Sequence, residues 1–176
     1  MILTGMKISE EVATGRIRIS PFSEKRITTN SYDLTLGESY LTYRDAVLDP
    51  RVKPDVEIRT IPSFGLELRP GDFLLGESQE RIGSDHYVPK IHAKSGIARL
   101  GLFVHITADL IDIGSYGKTT FQIFATLPVV LFPGMLIGQV TFWKPEGRIE
   151  LYSGKYQGSD GPQPSKTYLD YVKADG

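Results

Sequence analysis

The stretch Val129-Val-Leu-Phe-Pro-Gly-Met-Leu-Ile-Gly-Gln-Val-Thr-Phe-Trp143 holds two apolar, β-branched runs on either side of Phe132-Pro-Gly134. It predicts strands over Val129 to Phe132 and Leu136 to Trp143 joined by a tight turn. The same pattern extends outward in both directions. Thr119 to Ala125, Phe103 to Ile106 and Phe73 to Glu77 read as further strands, with Arg69-Pro-Gly71 as another turn signal. Val56 to Ile61 follows a Pro-containing loop, Tyr32 to Leu36 and Tyr40 to Tyr43 read as two strands flanking Gly37, and Arg16 to Ile19 alternates basic and apolar residues. Many short, closely spaced strands predict a mainly β protein, an all-β barrel or jelly roll. Two helical pieces interrupt it: Lys7 to Thr14, stopped by Gly15, and a turn or two from Ser95 to Leu100, closed by Gly101.

The chain has 176 residues, 20 basic and 21 acidic side chains, three histidines and no cysteine. That length suits one domain spanning 1–176. A net charge of -1 predicts no general attraction to nucleic acid or a membrane surface, so an anion site must be a local cluster. Without cysteine there are no disulfides or thiolate zinc sites, and the zinc-dependent nucleobase deaminases, whose metal is held partly by cysteine, are excluded. No apolar run approaches the roughly 20 residues that span a bilayer, and Met1 to Lys7 lacks the apolar core of a secretory signal, which predicts a soluble cytoplasmic protein.

Three local constellations have chemical interest. In Lys94-Ser-Gly-Ile-Ala-Arg99 two cations and a hydroxyl surround a helix start; the segment reads as a phosphate or oxyanion clamp, or simply as a capped helix with two solvated cations. In His105-Ile-Thr-Ala-Asp-Leu-Ile-Asp-Ile-Gly-Ser-Tyr-Gly117, read as two short strands joined by a turn, Asp112 is either ordinary turn chemistry or a carboxylate for a sugar hydroxyl or a water. His105 reads as a satisfied core or interface histidine, and three histidines give no metal cluster. The tail, with Tyr152, Lys155 and Ser159 among Gly, Pro and polar residues, reads as a mobile surface segment, 153–176, able to close over a charged ligand.

Taken in order, several segments resemble the dCTP deaminase family, part of the trimeric dUTPase superfamily. They are Gly15-Arg-Ile-Arg-Ile19, Asn30-Ser-Tyr-Asp-Leu-Thr-Leu-Gly37, Leu68-Arg-Pro-Gly-Asp-Phe73, Lys94 to Leu102, Val104-His-Ile-Thr-Ala108, Ile111-Asp112, Leu131 to Gln139 and Lys155-Tyr-Gln-Gly158. The resemblance implies a distorted β-barrel of the dUTPase-like (β-clip) type, assembled as a homotrimer with active sites at subunit interfaces. It further implies a tail closing over a nucleoside triphosphate that carries Mg²⁺ on its phosphates, with no zinc and no protein-held metal. By position, Ser95 and Arg99 match the pair that binds and polarises the attacking water, and Asp112 matches the carboxylate that contacts the deoxyribose. Lys94 and Gly96 fall at the phosphates, Ala108, Thr120, Phe121 and Gln139 along the nucleotide, and Tyr152, Lys155 and Ser159 on the closing tail.

The family's activity, dCTP and water to dUTP and ammonia, uses a glutamate as proton shuttle, and its position here is Gln122. An amide accepts no proton near pH 7, whereas general acid–base catalysis is worth typically about 10²–10⁴-fold. Gly96 stands where the motif has a second serine, and Ser159 where the tail has a glutamine. Three readings follow. The first is deamination of a cytosine nucleotide, with Asp109 as a candidate substitute carboxylate. The second is dUTPase-type diphosphate release, with Asp112 orienting a water and Mg²⁺ bridging the phosphates. The third is a nucleotide-binding protein without catalysis.

Overall fold

The computed structural model describes residues 1–172. Ten strands, three short α-helices and one 3-10 turn (Glu24–Arg26) follow one another along the described residues. Helix α1 (Gly5–Ala13) is capped by the Thr4 hydroxyl, which accepts from the Lys7 amide at 3.4 Å. It turns Ile8 into the core. Strands β1 (Arg18–Ser20), β2 (Tyr32–Tyr43), β3 (Val56–Thr60), β4 (Leu66–Leu68) and β5 (Phe73–Gly83) come next. Then follow β6 (Val88–Ala93), α2 (Ser95–Ala98), β7 (Leu102–Phe103), β8 (Tyr116–Ala125), β9 (Val129–Leu131), β10 (Leu136–Trp143) and α3 (Tyr168–Val172).

Eight strands form one antiparallel sheet in the order β6-β10-β2-β5-β8-β7, with β1 added to β5 and β3 to β2. The sheet curls into a nearly closed, mainly β barrel, and β4 and β9 pair separately as a small ribbon. Its inner face carries Tyr32, Leu34, Leu36, Phe121, Ile123, Val140 and Phe142, all fully buried. Burying a side chain of this size is worth about 1.5–3 kcal/mol.

Several elements differ from the sequence expectation. The two strands expected around Gly37 are one strand, β2, because the place of a Cβ at Gly37 is filled by the Glu77 side chain, which packs across the glycine from β5. Beside it the β2–β5 register slips between Leu36 and Tyr40. Strand β5 runs on to Gly83 through a second irregularity, between Glu77 and Arg81. The strand expected over Phe103 to Ile106 ends at Phe103. The pair of strands expected within His105 to Gly117 is absent; that segment arches over the sheet edge, where Ile91 and Ile111 donate to the carbonyls of Asp109 and Pro89 at 2.8 and 3.0 Å. The first expected helix begins two residues earlier, at Gly5.

Candidate functional site

Strand β8 builds the floor of the site. Alternation sends Phe121, Ile123 and Ala125 into the barrel, all fully buried, and leaves Lys118, Thr120 and Gln122 together on the outer face. Two segments roof that face. From one side, the Gln122 amide donates to Val104 O at 2.9 Å and the Ile106 amide donates to Gln122 Oε1 at 3.3 Å, which hangs the 104–115 arch over the strand. From the other, the tail adds main-chain rungs: Gly158 N donates to Tyr116 O at 3.0 Å and Lys118 N to Ser159 O at 2.9 Å. Gln163 N donates to the Thr120 hydroxyl at 3.0 Å. This close approach requires Gly117, because a Cβ there would lie 2.7 Å from Ser159 N. Between floor and roof lies a cavity of about 480 Å³, within the range of small-ligand sites.

Of the residues singled out in the sequence, Ala108, Asp112, Thr120, Gln122, Tyr152 and Ser159 line this cavity. Asp112 stands at its exposed rim, its carbonyl accepting from Ser115 N at 3.0 Å. The Tyr152 hydroxyl accepts from Tyr156 N at 3.1 Å. The Ser159 hydroxyl donates to Tyr156 O at 2.7 Å. Because the Ile106 amide needs an acceptor, Gln122 Oε1 is committed to it and the side-chain NH₂ is left as the free group. Position 122 therefore offers donors, and no base.

The charges around the cavity are mostly neutralised in place. Lys118, another lining residue, donates to the buried Glu77 carboxylate at 2.7 Å and lies 3.8 Å from Asp160 of the tail. Arg81 holds the same Asp160 at 2.8 Å. Asp109 is absent from the lining; it pairs with Lys90 at 3.0 Å, and the lysine holds its carboxyl below the ordinary range. Burial pushes the His92 imidazole below its ordinary value, against the attraction of Asp109. His105 lines the cavity, and both its ring nitrogens are shut off from solvent with no hydrogen-bond partner. Each unpaired buried polar group costs about 1–3 kcal/mol.

The remaining predicted residues lie elsewhere on the chain. Ser95, Gly96 and Arg99 sit at α2, exposed; Arg99 has no ion-pair partner among the described residues, and a Cβ at Gly96 would meet open space. Lys94 pairs with Asp33. Gln139 stands between Asp33 and His92 in a row across β2, β10 and β6, and accepts from the Ser31 hydroxyl at 3.4 Å. Phe121 turns its ring into the core. Lys155 pairs with Asp170. Residues 173–176 of the expected closing tail lie outside the described residues. Among the described residues no group of three His, Asp or Glu is placed to hold a metal, and no helix is long and apolar enough to cross a membrane.

The chain is thus a mainly β barrel with a roofed cavity on the outer face of one strand. The sequence model of the dCTP deaminase-like family matches residues 2–145, and the chain belongs to that family. Among curated relatives, "dCTP deaminase, dUMP-forming" of Clostridium botulinum (strain Eklund 17B / Type B) is 41% identical over 174 residues, covering 98% of this chain and 100% of the relative. The protein of the same name from Leptospira biflexa serovar Patoc is 41% identical over 98% of this chain and 99% of its own length. A solved structure, 2'-deoxycytidine 5'-triphosphate deaminase from Agrobacterium tumefaciens, superposes with a TM-score of 0.64 at 21% identity. The match covers 80% of this chain and 47% of that one, and it bears on the fold alone.

Proposed function

We propose that this chain is a hydrolase of pyrimidine deoxynucleoside triphosphates that takes dCTP to dUMP, releasing ammonia and diphosphate. The observation that carries the reading is the roofed cavity on β8, into which Ala108, Asp112, Thr120, Gln122, Tyr152 and Ser159 converge from three separate segments. The name shared by relatives 41% identical over nearly the whole chain supports both halves of the reaction. In the first half a water oxygen bonds to carbon 4 of the cytosine. The carbon–nitrogen bond then breaks, one water proton leaves with the ammonia, and the other ends on ring nitrogen 3. In the second half Asp112 orients a water whose oxygen bonds to the α-phosphorus as the bond to the bridging oxygen breaks and diphosphate departs; Mg²⁺ brought by the substrate would supply charge neutralisation for that leaving group.

The cavity of one chain holds a single lysine, already paired with Glu77, which is too little charge for a triphosphate. The exposed α2 of a second copy, bringing Ser95, Gly96 and Arg99, would complete it, and a homotrimer with three shared sites is the assembly this requires. The amide at Gln122 favours a second reading, diphosphate release alone.

Purified protein given dCTP, dUTP and CTP with Mg²⁺, with products separated by chromatography, tests these readings. The expected result is ammonia, diphosphate and dUMP in equal amounts from dCTP. Diphosphate without ammonia would select the second reading. A nucleotide-induced rise in Tm with no product would identify a binding protein, and a monomer in sedimentation would remove the shared site.

A further inference from the structure

The floor and the roof of the cavity each carry an amide whose orientation is set by bonds within this chain, whatever a second copy adds. On the floor, the Ile106 main-chain N–H donates to Gln122 Oε1 at 3.3 Å, which leaves the NH₂ group of that side chain over. In the roof, the Gln163 NH₂ group donates to the carbonyls of Asp160 and Gly161 at 3.2 and 3.3 Å. Carbonyls only accept, so Oε1 is the end of Gln163 left over. Both residues line the cavity, and neither leftover end is among the unpartnered side-chain atoms shut off from solvent. Gln157 of the same tail differs: its Oε1 accepts from Tyr116 N at 2.8 Å and its NH₂ donates to Gly114 O at 2.9 Å, so both ends are spent on the main chain.

Thr120 brings the two amides together. Its hydroxyl accepts from Gln163 N at 3.0 Å, and it stands two positions before Gln122 on the same face of β8, a spacing of about 7 Å. The cavity is thus offered one neutral donor and one neutral acceptor from neighbouring positions. Phosphates call for cations, and the lysine of this cavity is held by Glu77. A neutral ring edge with an acceptor beside a donor is what fits the pair. Cytosine has that edge, because N3 accepts and the 4-amino group donates. Uracil in the same seat presents N3–H and O4, which sets donor against donor and acceptor against acceptor.

We infer that Gln122 and Gln163 together determine base specificity, Gln122 donating to N3 of a cytosine and Gln163 Oε1 accepting from its amino group. The inference rests on the pyrimidine deoxynucleotide reading given above, and it holds whether ammonia leaves or diphosphate alone. Once the amino group has gone the pattern no longer matches, and the triphosphate is what holds the nucleotide for the second half of the reaction.

The test is titration calorimetry of the full chain with Mg²⁺ and three α,β-imido deoxynucleoside triphosphates, which keep their diphosphate. Their bases are cytosine, uracil and pyrimidin-2-one, the last having the N3 acceptor of cytosine and no amino group. Bound nucleotide is recovered and identified by chromatography, so that each affinity is assigned to the base present. The unsubstituted chain is expected to bind cytosine tighter than pyrimidin-2-one, and pyrimidin-2-one tighter than uracil, each by about 10- to 100-fold, the effect of one buried pair left unmade. Gln163→Leu is expected to abolish the first preference and to keep the second. A role confined to holding the tail together predicts something else, a loss of affinity shared by all three ligands. A Gln163→Leu chain that keeps both preferences therefore overturns the proposal, as does an unsubstituted chain that binds the three equally or prefers uracil. If none of the three binds, the pyrimidine nucleotide reading itself fails and the inference falls with it.

Discussion

The two faces of β8 are held by different things. On the inner face Phe121, Ile123 and Ala125 are gripped by the barrel core, with no exposed surface. On the outer face Lys118, Thr120 and Gln122 are only half-buried, and their cover is the arch and the tail, attached by a few hydrogen bonds. One strand thus serves as core on one side and as the floor of a site on the other. The difference predicts that stability and ligand binding can be damaged separately through neighbouring residues.

The largest effect should come from the inner face. Phe121→Ala is expected to cost about 3–5 kcal/mol and to lower Tm by roughly 10 °C for a chain of this size, measured by calorimetry without ligand. A small change there would mean that the barrel does not depend on this face. Next comes the outer face. Gly117→Ala puts a Cβ against the main chain of Ser159, so the tail must lift from β8. The variant is expected to melt within a few degrees of the parent, by roughly the effect of one or two lost hydrogen bonds, and to lose its dCTP-induced stabilisation. If dCTP still protects it, the tail is not the roof. The smallest effect is expected from Asp160→Asn. Its ion pair with Arg81 is largely exposed, so the stability change should stay under about 1 kcal/mol, with any change confined to ligand affinity. A larger loss of stability would show that side chains, and not main-chain rungs, hold the tail down.

The same contrast explains what could be read in the sequence. The barrel's inner face was legible because alternation is a local signal, as in Thr119 to Ala125 and Leu136 to Trp143. Strand β6 was hidden by Pro89, which ordinarily argues against a central strand; it is tolerated because β6 lies at the sheet edge. The continuity of β2 through Gly37 depends on a glutamate forty residues away. Within the site, matching motifs to family positions picked out Asp112, Thr120 and Gln122. Asp109 looked available because Lys90, its partner, lies on another strand.

The tail is fixed to β8 through the main chain of Gly158 and Ser159 and through the Gln157 side chain, whose Oε1 accepts from Tyr116 N at 2.8 Å. Substitutions at 159 or 163, which both line the cavity and are not buried in the core, can re-line its mouth without disturbing a core contact. The roof is the part of this molecule that can be rewritten cheaply, by natural drift or by a library confined to those positions, to make the same barrel accept a different ligand.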